Sequence, residues 1–108
     1  MVGRAQADRS RITPHQLVLR PRAIAELRDA VEHYAFVGHD RPFLGEIDRA
    51  LGAIAIRPLR FPVIIGETRR ALVRRYPYAV FFRIRPSTAV VVVLAVLHQR
   101  MSPRRWPR

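Results

Sequence analysis

Two stretches in the first half of the chain carry apolar residues at the three- and four-residue spacing of an amphipathic helix. This spacing predicts helices over Arg22–Val37 and Arg41–Ile56. Gly38 is suited to end the first helix, and Asp40 to cap the second. Two helices with so short a joint form a helical hairpin. The apolar faces consist of Leu27, Ala30, Val31 and Tyr34 in the first helix and Leu44, Ile47, Leu51, Ile54 and Ala55 in the second.

Four other stretches have the patterns of β-strands. The last of them is apolar on both faces, which is typical of a strand in the centre of a sheet. Pro77 and the turn Pro86–Ser87 separate the later strands. The predicted strands are His15–Arg20, Thr68–Tyr76, Tyr78–Arg85 and Ala89–Leu97, and Leu59–Glu67 is predicted to be a loop.

The order of these elements, β-α-α-β-β-β, predicts a two-layer α+β fold. The helical hairpin packs on a small, mostly antiparallel sheet. Residues 1–14 are polar and basic, and we interpret them as a flexible N-terminal arm. Residues 15–108 then form a single domain with a basic C-terminal tail at 98–108.

The apolar segments are too short to cross a membrane. The longest run, Ala89–Leu97, has nine residues, whereas a spanning helix needs roughly 20. The first fourteen residues contain no apolar segment of the kind that directs secretion. We therefore expect a cytoplasmic protein without a membrane partner.

Positive charge is concentrated in the last third of the chain. The formal net charge is +12, and all 20 basic residues are arginine. No carboxylate follows Glu67, but ten arginines do. A field of this size favours a polyanion or an acidic protein as partner.

Several kinds of chemistry are excluded by the residues that the chain lacks. Without cysteine there is no thiolate metal site and no cysteine nucleophile. Without lysine there is no Schiff base and no lysine general base. Phosphate-loop, nucleotide-binding, zinc and nucleophile-elbow motifs are also missing from the sequence. We therefore expect no metal, no cofactor and no small-molecule substrate.

An arginine band on the predicted sheet is the first candidate site. Alternation along a strand predicts Arg70 and Arg74 on one face, and Arg69 and Arg75 on the other. Guanidinium groups bind phosphates and carboxylates through paired hydrogen bonds. A solvated strand surface explains the band equally well. The band consists of Arg69, Arg70, Arg74, Arg75, Arg83 and Arg85.

Histidine and aromatic residues supply further candidates. His98 could act as a base, but a hydrogen bond to the tail is favoured because no carboxylate is near it in sequence. Trp106 is expected to dock on the domain or on a partner. The aromatic residues at 76, 78, 81 and 82 could stack on bases, although core packing is the simpler explanation.

From Leu17 to Trp106 the chain resembles the RelE/ParE toxin superfamily, also called plasmid-stabilisation proteins. The segments that carry the resemblance are LRPRAIAELRDAVEHY at 19–34, LGEIDRALGAI at 44–54, RRALVRRYPYAVFFRI at 69–84 and AVLHQRMSPRRW at 95–106. The resemblance implies two helices on a small curved sheet. It also implies a toxin that a cognate antitoxin holds inactive.

The last two segments look more like ParE, and this implies inhibition of DNA gyrase. RelE-type members instead cut mRNA on the ribosome, with lysine, arginine and tyrosine or with glutamate, arginine and histidine. The chain has no lysine, and neither Glu67 nor His98 aligns with the nuclease residues. A ribosome-dependent endoribonuclease using Arg70, Arg74 or His98 is the alternative, and a non-toxic, degenerate member is another.

The candidate residues form two sets. Target binding is assigned to Arg69, Arg70, Arg74, Arg75, His98, Arg100, Arg105 and Trp106. Antitoxin binding is assigned to Leu27, Val31, Tyr34, Arg83 and Arg85.

Overall fold

The computed structural model describes residues 14–107, which form two helices and a five-stranded sheet. The predicted arm at 1–14 lies outside the described residues except for Pro14. In chain order the elements are β1 (Gln16–Leu19), α1 (Pro21–Ala35), α2 (Asp40–Ile56), β2 (Val63–Ile65), β3 (Thr68–Leu72), β4 (Tyr78–Arg85) and β5 (Val90–His98). Short 3₁₀ helices lie at Pro58–Arg60 and Pro103–Arg105.

Both predicted helices are present, and their ends differ from the prediction by a few residues. Helix α1 begins at Pro21, where the missing N–H has no intrahelical partner to lose. It ends at Ala35 rather than Val37, and Gly38 has the positive φ of +74° that turns the chain. The prediction that Asp40 caps α2 is wrong. Asp40 is the first residue of α2, where its negative charge interacts favourably with the positive end of the helix dipole.

The sheet has the order β1-β5-β4-β3-β2. Strand β1 is parallel to β5, and the other neighbours are antiparallel. The mostly antiparallel α+β fold is therefore confirmed, and the last strand lies inside the sheet, between β1 and β4. Its residues Val91–Leu97 are all buried, in accordance with their apolar character on both faces.

The predicted loop at Leu59–Glu67 is partly wrong, because it contains a 3₁₀ helix and the edge strand β2. Val63 pairs with Arg69 and Ile65 with Thr68, across the turn at Gly66. Three residues are too few to show alternation, so the sequence pattern does not reveal this strand. The order of elements is consequently β-α-α-β-β-β-β, with one strand more than predicted.

The predicted strand Thr68–Tyr76 is too long, since β3 ends at Leu72. The backbone N–H of Val73 still donates to the Tyr78 carbonyl, at 2.8 Å. Arg74 and Arg75 form the turn beyond it, and Arg75 has a φ of 71°. The chain must reverse before β4 begins at Tyr78, and this constraint overrides the strand pattern of the sequence.

The sheet has two buried faces, which we call the helix face and the tail face. A bulge in β5 at Leu94, between the pairs Phe82–Val93 and Phe81–Ala95, shifts the alternation, so that Ala95 lies on the tail face and Val96 on the helix face. The helix face packs under α1 and α2 and includes Ala71, Val73, Val80, Phe82, Val91, Val93 and Val96, with Phe43, Ile47 and Ile54 from α2. The tail face includes Ala79, Phe81, Ala95 and Leu97, with Ile64 and Trp106 packed against them.

Candidate functional site

Charge separates the two layers of the fold. Helices α1 and α2 carry six of the eight carboxylates and only four arginines. From Arg57 to Pro107 there are eleven arginines and a single carboxylate, Glu67. The sheet layer and the C-terminal tail therefore carry the positive field that attracts an acidic partner.

The predicted arginine band does not form one surface. Arg69 and Arg70 lie on opposite faces of β3, as alternation requires. Arg69 Nη1 donates to the Phe61 carbonyl at 2.6 Å and so holds the segment after α2. The Arg70 guanidinium lies 5.6 Å from the centre of the Trp106 ring. The strand alternation predicted for Arg74 and Arg75 is wrong, because both lie in the exposed turn.

Trp106 docks back on the domain, which confirms that expectation. Its ring lies 5.8 Å from that of Phe81, and Arg70 stacks on it. The hydroxyl of Thr68 donates to the Pro107 carbonyl at 3.4 Å. The tail thus covers apolar residues of the tail face, and Arg70 and Trp106 are target-binding candidates in direct contact.

A second attachment of the tail comes from α1 and was not found from the sequence. Arg22 pairs with Glu26 at 3.1 Å and donates to the backbone carbonyl of Arg105. The only signal in the sequence is the four-residue spacing of Arg22 and Glu26, which any surface helix can show. The side chain of Arg105 lines a cavity of ≈ 320 Å³ between α1 and the end of β5.

His98 is hydrogen-bonded to the tail, as the favoured interpretation held. Its Nδ1 accepts from the backbone N–H of Arg100 at 3.1 Å. Its ring meets Tyr78 edge-on at 5.2 Å, which places it on the helix face. Arg70 is on the tail face and Arg74 is in the turn, so the three candidate nuclease residues are not brought together.

Aromatic residues pack as a cluster between the helices and the sheet, in agreement with the core interpretation. Tyr34 lies 4.7 Å from Phe43, 5.0 Å from Tyr76 and 6.0 Å from Tyr78, measured between ring centres. Burial raises the pKa of Tyr34 and of Tyr78 above the ordinary tyrosine value. Phe81 and Phe82 are buried on the two faces of the sheet.

The antitoxin-binding candidates fall on two separate parts of the molecule. Leu27, Val31 and Tyr34 are half-buried and pack on the core beneath α1. Arg83 is half-buried and Arg85 exposed, and alternation from Phe81 places both on the tail face. These five residues do not form a continuous surface.

Residues 14–107 contain neither a group of metal-ligating side chains nor a membrane-spanning helix. Within this range no three histidine, aspartate or glutamate side chains are grouped so as to hold a metal ion. Neither helix in this part of the chain is long and apolar enough to cross a membrane.

The fold is similar to solved structures from toxin–antitoxin systems. The structure is similar to one of the chromosomal ParDE system from P. aeruginosa, with a TM-score of 0.65 and 16% sequence identity over 80% of this chain and 97% of that chain. It is also similar to the toxin–antitoxin complex RelBE2 from Mycobacterium tuberculosis, with a TM-score of 0.54 and 25% identity over 81% of this chain and 93% of that one.

Residues 17–103 match the model of the family described as the ParE toxin of the type II toxin–antitoxin system parDE. The chain therefore belongs to the ParE toxin family, within the RelE/ParE superfamily. A comparison with curated proteins gives no match.

Proposed function

We propose that this type II toxin inhibits DNA gyrase and that a cognate antitoxin neutralises it. The observation that carries the proposal is the match of residues 17–103, nearly the whole described domain, to the ParE toxin family. Under this proposal the toxin acts in the cytoplasm, and its pairing with an antitoxin can stabilise a plasmid.

The placement of the candidate nuclease residues supports gyrase over mRNA as the target. A nuclease must bring a general base and phosphate-binding groups to one phosphodiester. Arg70 and His98 lie on opposite faces of the sheet, and each contacts other parts of the same chain. This arrangement favours a toxin that acts by binding.

The distribution of charge supports an acidic partner for the sheet layer. Eleven arginines against one carboxylate from Arg57 to Pro107 attract a negatively charged antitoxin segment over a long range. Both similar structures are of toxin–antitoxin systems. A segment that folds as it binds would gain affinity from the same charges.

Induced expression of the chain in growing cells tests the target. A gyrase inhibitor arrests growth, relaxes a reporter plasmid and leaves transcripts intact. Cut transcripts with a normally supercoiled plasmid would instead identify the ribosome-dependent endoribonuclease. Normal growth at a confirmed protein level would identify a non-toxic member and would contradict the proposal.

A further inference from the structure

A groove runs between α2 and the outer edge of the sheet, away from every residue discussed above as an antitoxin contact. Two cavities of ≈ 210 and ≈ 500 Å³ share Ala53 and Phe61 and together form it. We call it the α2–β3 groove. Its walls are α2 on one side and the end of β3 with the 3₁₀ segment on the other.

The groove presents apolar surface to solvent. Ile56 in its α2 wall is 47% exposed, and Leu72 at the end of β3 is 58% exposed at the rim, with its side chain on the tail face. Strand β2 pairs with β3 only at Thr68 and Arg69, so the edge of β3 at Leu72 is left open by β2. Exposed apolar side chains beside an open strand edge are typical of a surface that binds another polypeptide.

Arginines surround this apolar surface. Arg49 and Arg74 line the end nearer the β3–β4 turn, and Arg57 and Arg60 line the other end. All four are exposed. Such a rim is complementary to a peptide whose carboxylates flank apolar side chains.

A buried carboxylate distinguishes the groove from a purely basic surface. Glu46 is only 6% exposed and lines the groove. Its Oε2 accepts from Arg49 Nη1 at 3.3 Å, whereas its Oε1 is buried and has no hydrogen-bond partner among the described residues. A buried acceptor without a donor is costly, and a bound donor would relieve that cost.

We propose that the α2–β3 groove binds an acidic, amphipathic peptide segment that supplies one hydrogen-bond donor to Glu46 Oε1. The carboxylates of the segment pair with Arg49, Arg57, Arg60 and Arg74, and its apolar side chains cover Phe61 and Ala53. The inference rests on the proposed function, under which the segment belongs to the cognate antitoxin.

Nucleic acid fits this groove less well than a peptide does. A phosphate backbone would satisfy the arginines but would bring negative charge next to Glu46 and offer its oxygen no donor. The two ligands therefore predict opposite effects of E46M, which removes both the acceptor oxygen and the negative charge at similar side-chain size. E46M weakens binding of the peptide, whose donor loses its acceptor, and strengthens binding of a nucleic acid.

The binding partner for the test is the purified, fluorescently labelled product of the reading frame that adjoins the gene. Its affinity for the full chain is measured by titration. We expect the double variant R57E/R60E to lose at least about tenfold in affinity, since two charge pairs are reversed. A53W fills the groove and should lose a comparable amount, and E46M should lose about threefold or more.

Matched variants on α1 control for charge and bulk. R28E reverses an exposed arginine and A25W enlarges an exposed alanine, both away from the groove. Binding within about twofold of the original chain is expected for both controls. Thermal unfolding of every variant shows that the fold is retained before affinities are compared.

The outcomes separate the groove from the function on which it rests. One outcome is that the original chain binds the partner and that the groove variants weaken binding no more than their α1 controls do. This outcome would contradict the groove as the binding site and would leave the antitoxin pairing intact. An E46M variant that binds more tightly would assign the groove to a polyanion. No binding by the original chain would contradict the antitoxin pairing and, with it, the groove.

Discussion

The carboxylate of Glu26 in α1 accepts a hydrogen bond of 2.9 Å from the backbone N–H of Val96 in β5, 70 positions later in the chain. Strand β1 pairs with β5 only as far as Val93, so Val96 lies on the strand edge beyond it. The side chain of Glu26 takes the place of a neighbouring strand there. Because Arg22 joins Glu26 to the tail carbonyl at Arg105, α1 holds both the uncovered edge of β5 and the tail.

Removing the Glu26 carboxylate should therefore destabilise the domain. We expect E26A to lower the free energy of unfolding by about 1–3 kcal/mol, because it leaves the N–H of Val96 without its acceptor. E26Q keeps an amide oxygen for Val96 and loses only an exposed ion pair, so its cost should stay below about 1 kcal/mol. Urea unfolding measures both, and equal losses in the two variants would show that the hydrogen bond to Val96 is unimportant.

Trp106 reports directly on the docking of the tail, since it is the only tryptophan. Its contacts with Phe81 and Arg70 predict emission at shorter wavelength, and weaker quenching by acrylamide, than in the unfolded chain. R70M should lose the cation–π contact at a cost of about 0.5–1 kcal/mol and increase quenching. R85M serves as the control, because Arg85 is exposed and the cation–π contact with Trp106 is made by Arg70. Quenching as strong in the folded original chain as in the unfolded chain would contradict docking.

Stability should fall at alkaline pH because of the tyrosines in the core. Burial is the main reason that the pKa of Tyr34 is raised, with further contributions from Tyr78 and Tyr76, and burial also raises that of Tyr78. Above the ordinary value of about 10 the unfolded chain loses these protons first, so the folded state binds more protons. The free energy of unfolding is therefore unaffected below that pH and falls as the pH rises through the folded-state pKa values.

Phenolate absorbance measures this effect. Titration of the folded chain should show tyrosines that ionise above the range found in denaturant. Y34F should flatten the alkaline fall in stability, since it removes the most strongly clustered phenol. An identical titration curve in the folded and denatured chain would refute the prediction.

The helices, the long strands and the layer architecture could be predicted because each has a local signal. Leu27, Val31 and Tyr34 repeat at helical spacing and do face the core, and the apolar run that ends at Leu97 is indeed an interior strand, between β1 and β4. Strand β2 is too short for such a signal. The length of β3 depends on where the chain reverses at Arg75, which the alternation of residues does not encode.

The candidate site was harder to predict because it depends on contacts between distant segments. Alternation correctly separated Arg69 from Arg70, but it also grouped Arg74 with Arg70 and Arg75 with Arg69, and the turn that carries Arg74 and Arg75 overrides this grouping. Glu46 has nothing unusual in its sequence context. Only the packing of α2 against Phe61 and the end of β3 shows its buried, unpartnered oxygen.

Inhibition of gyrase can be measured with purified components, as the effect of the chain on the supercoiling of a relaxed plasmid by DNA gyrase and ATP. We predict that supercoiling falls as the chain is added and that prior mixing with the product of the adjoining reading frame restores it. Full supercoiling at concentrations of the chain that match those in arrested cells would contradict the proposal that this toxin acts on gyrase.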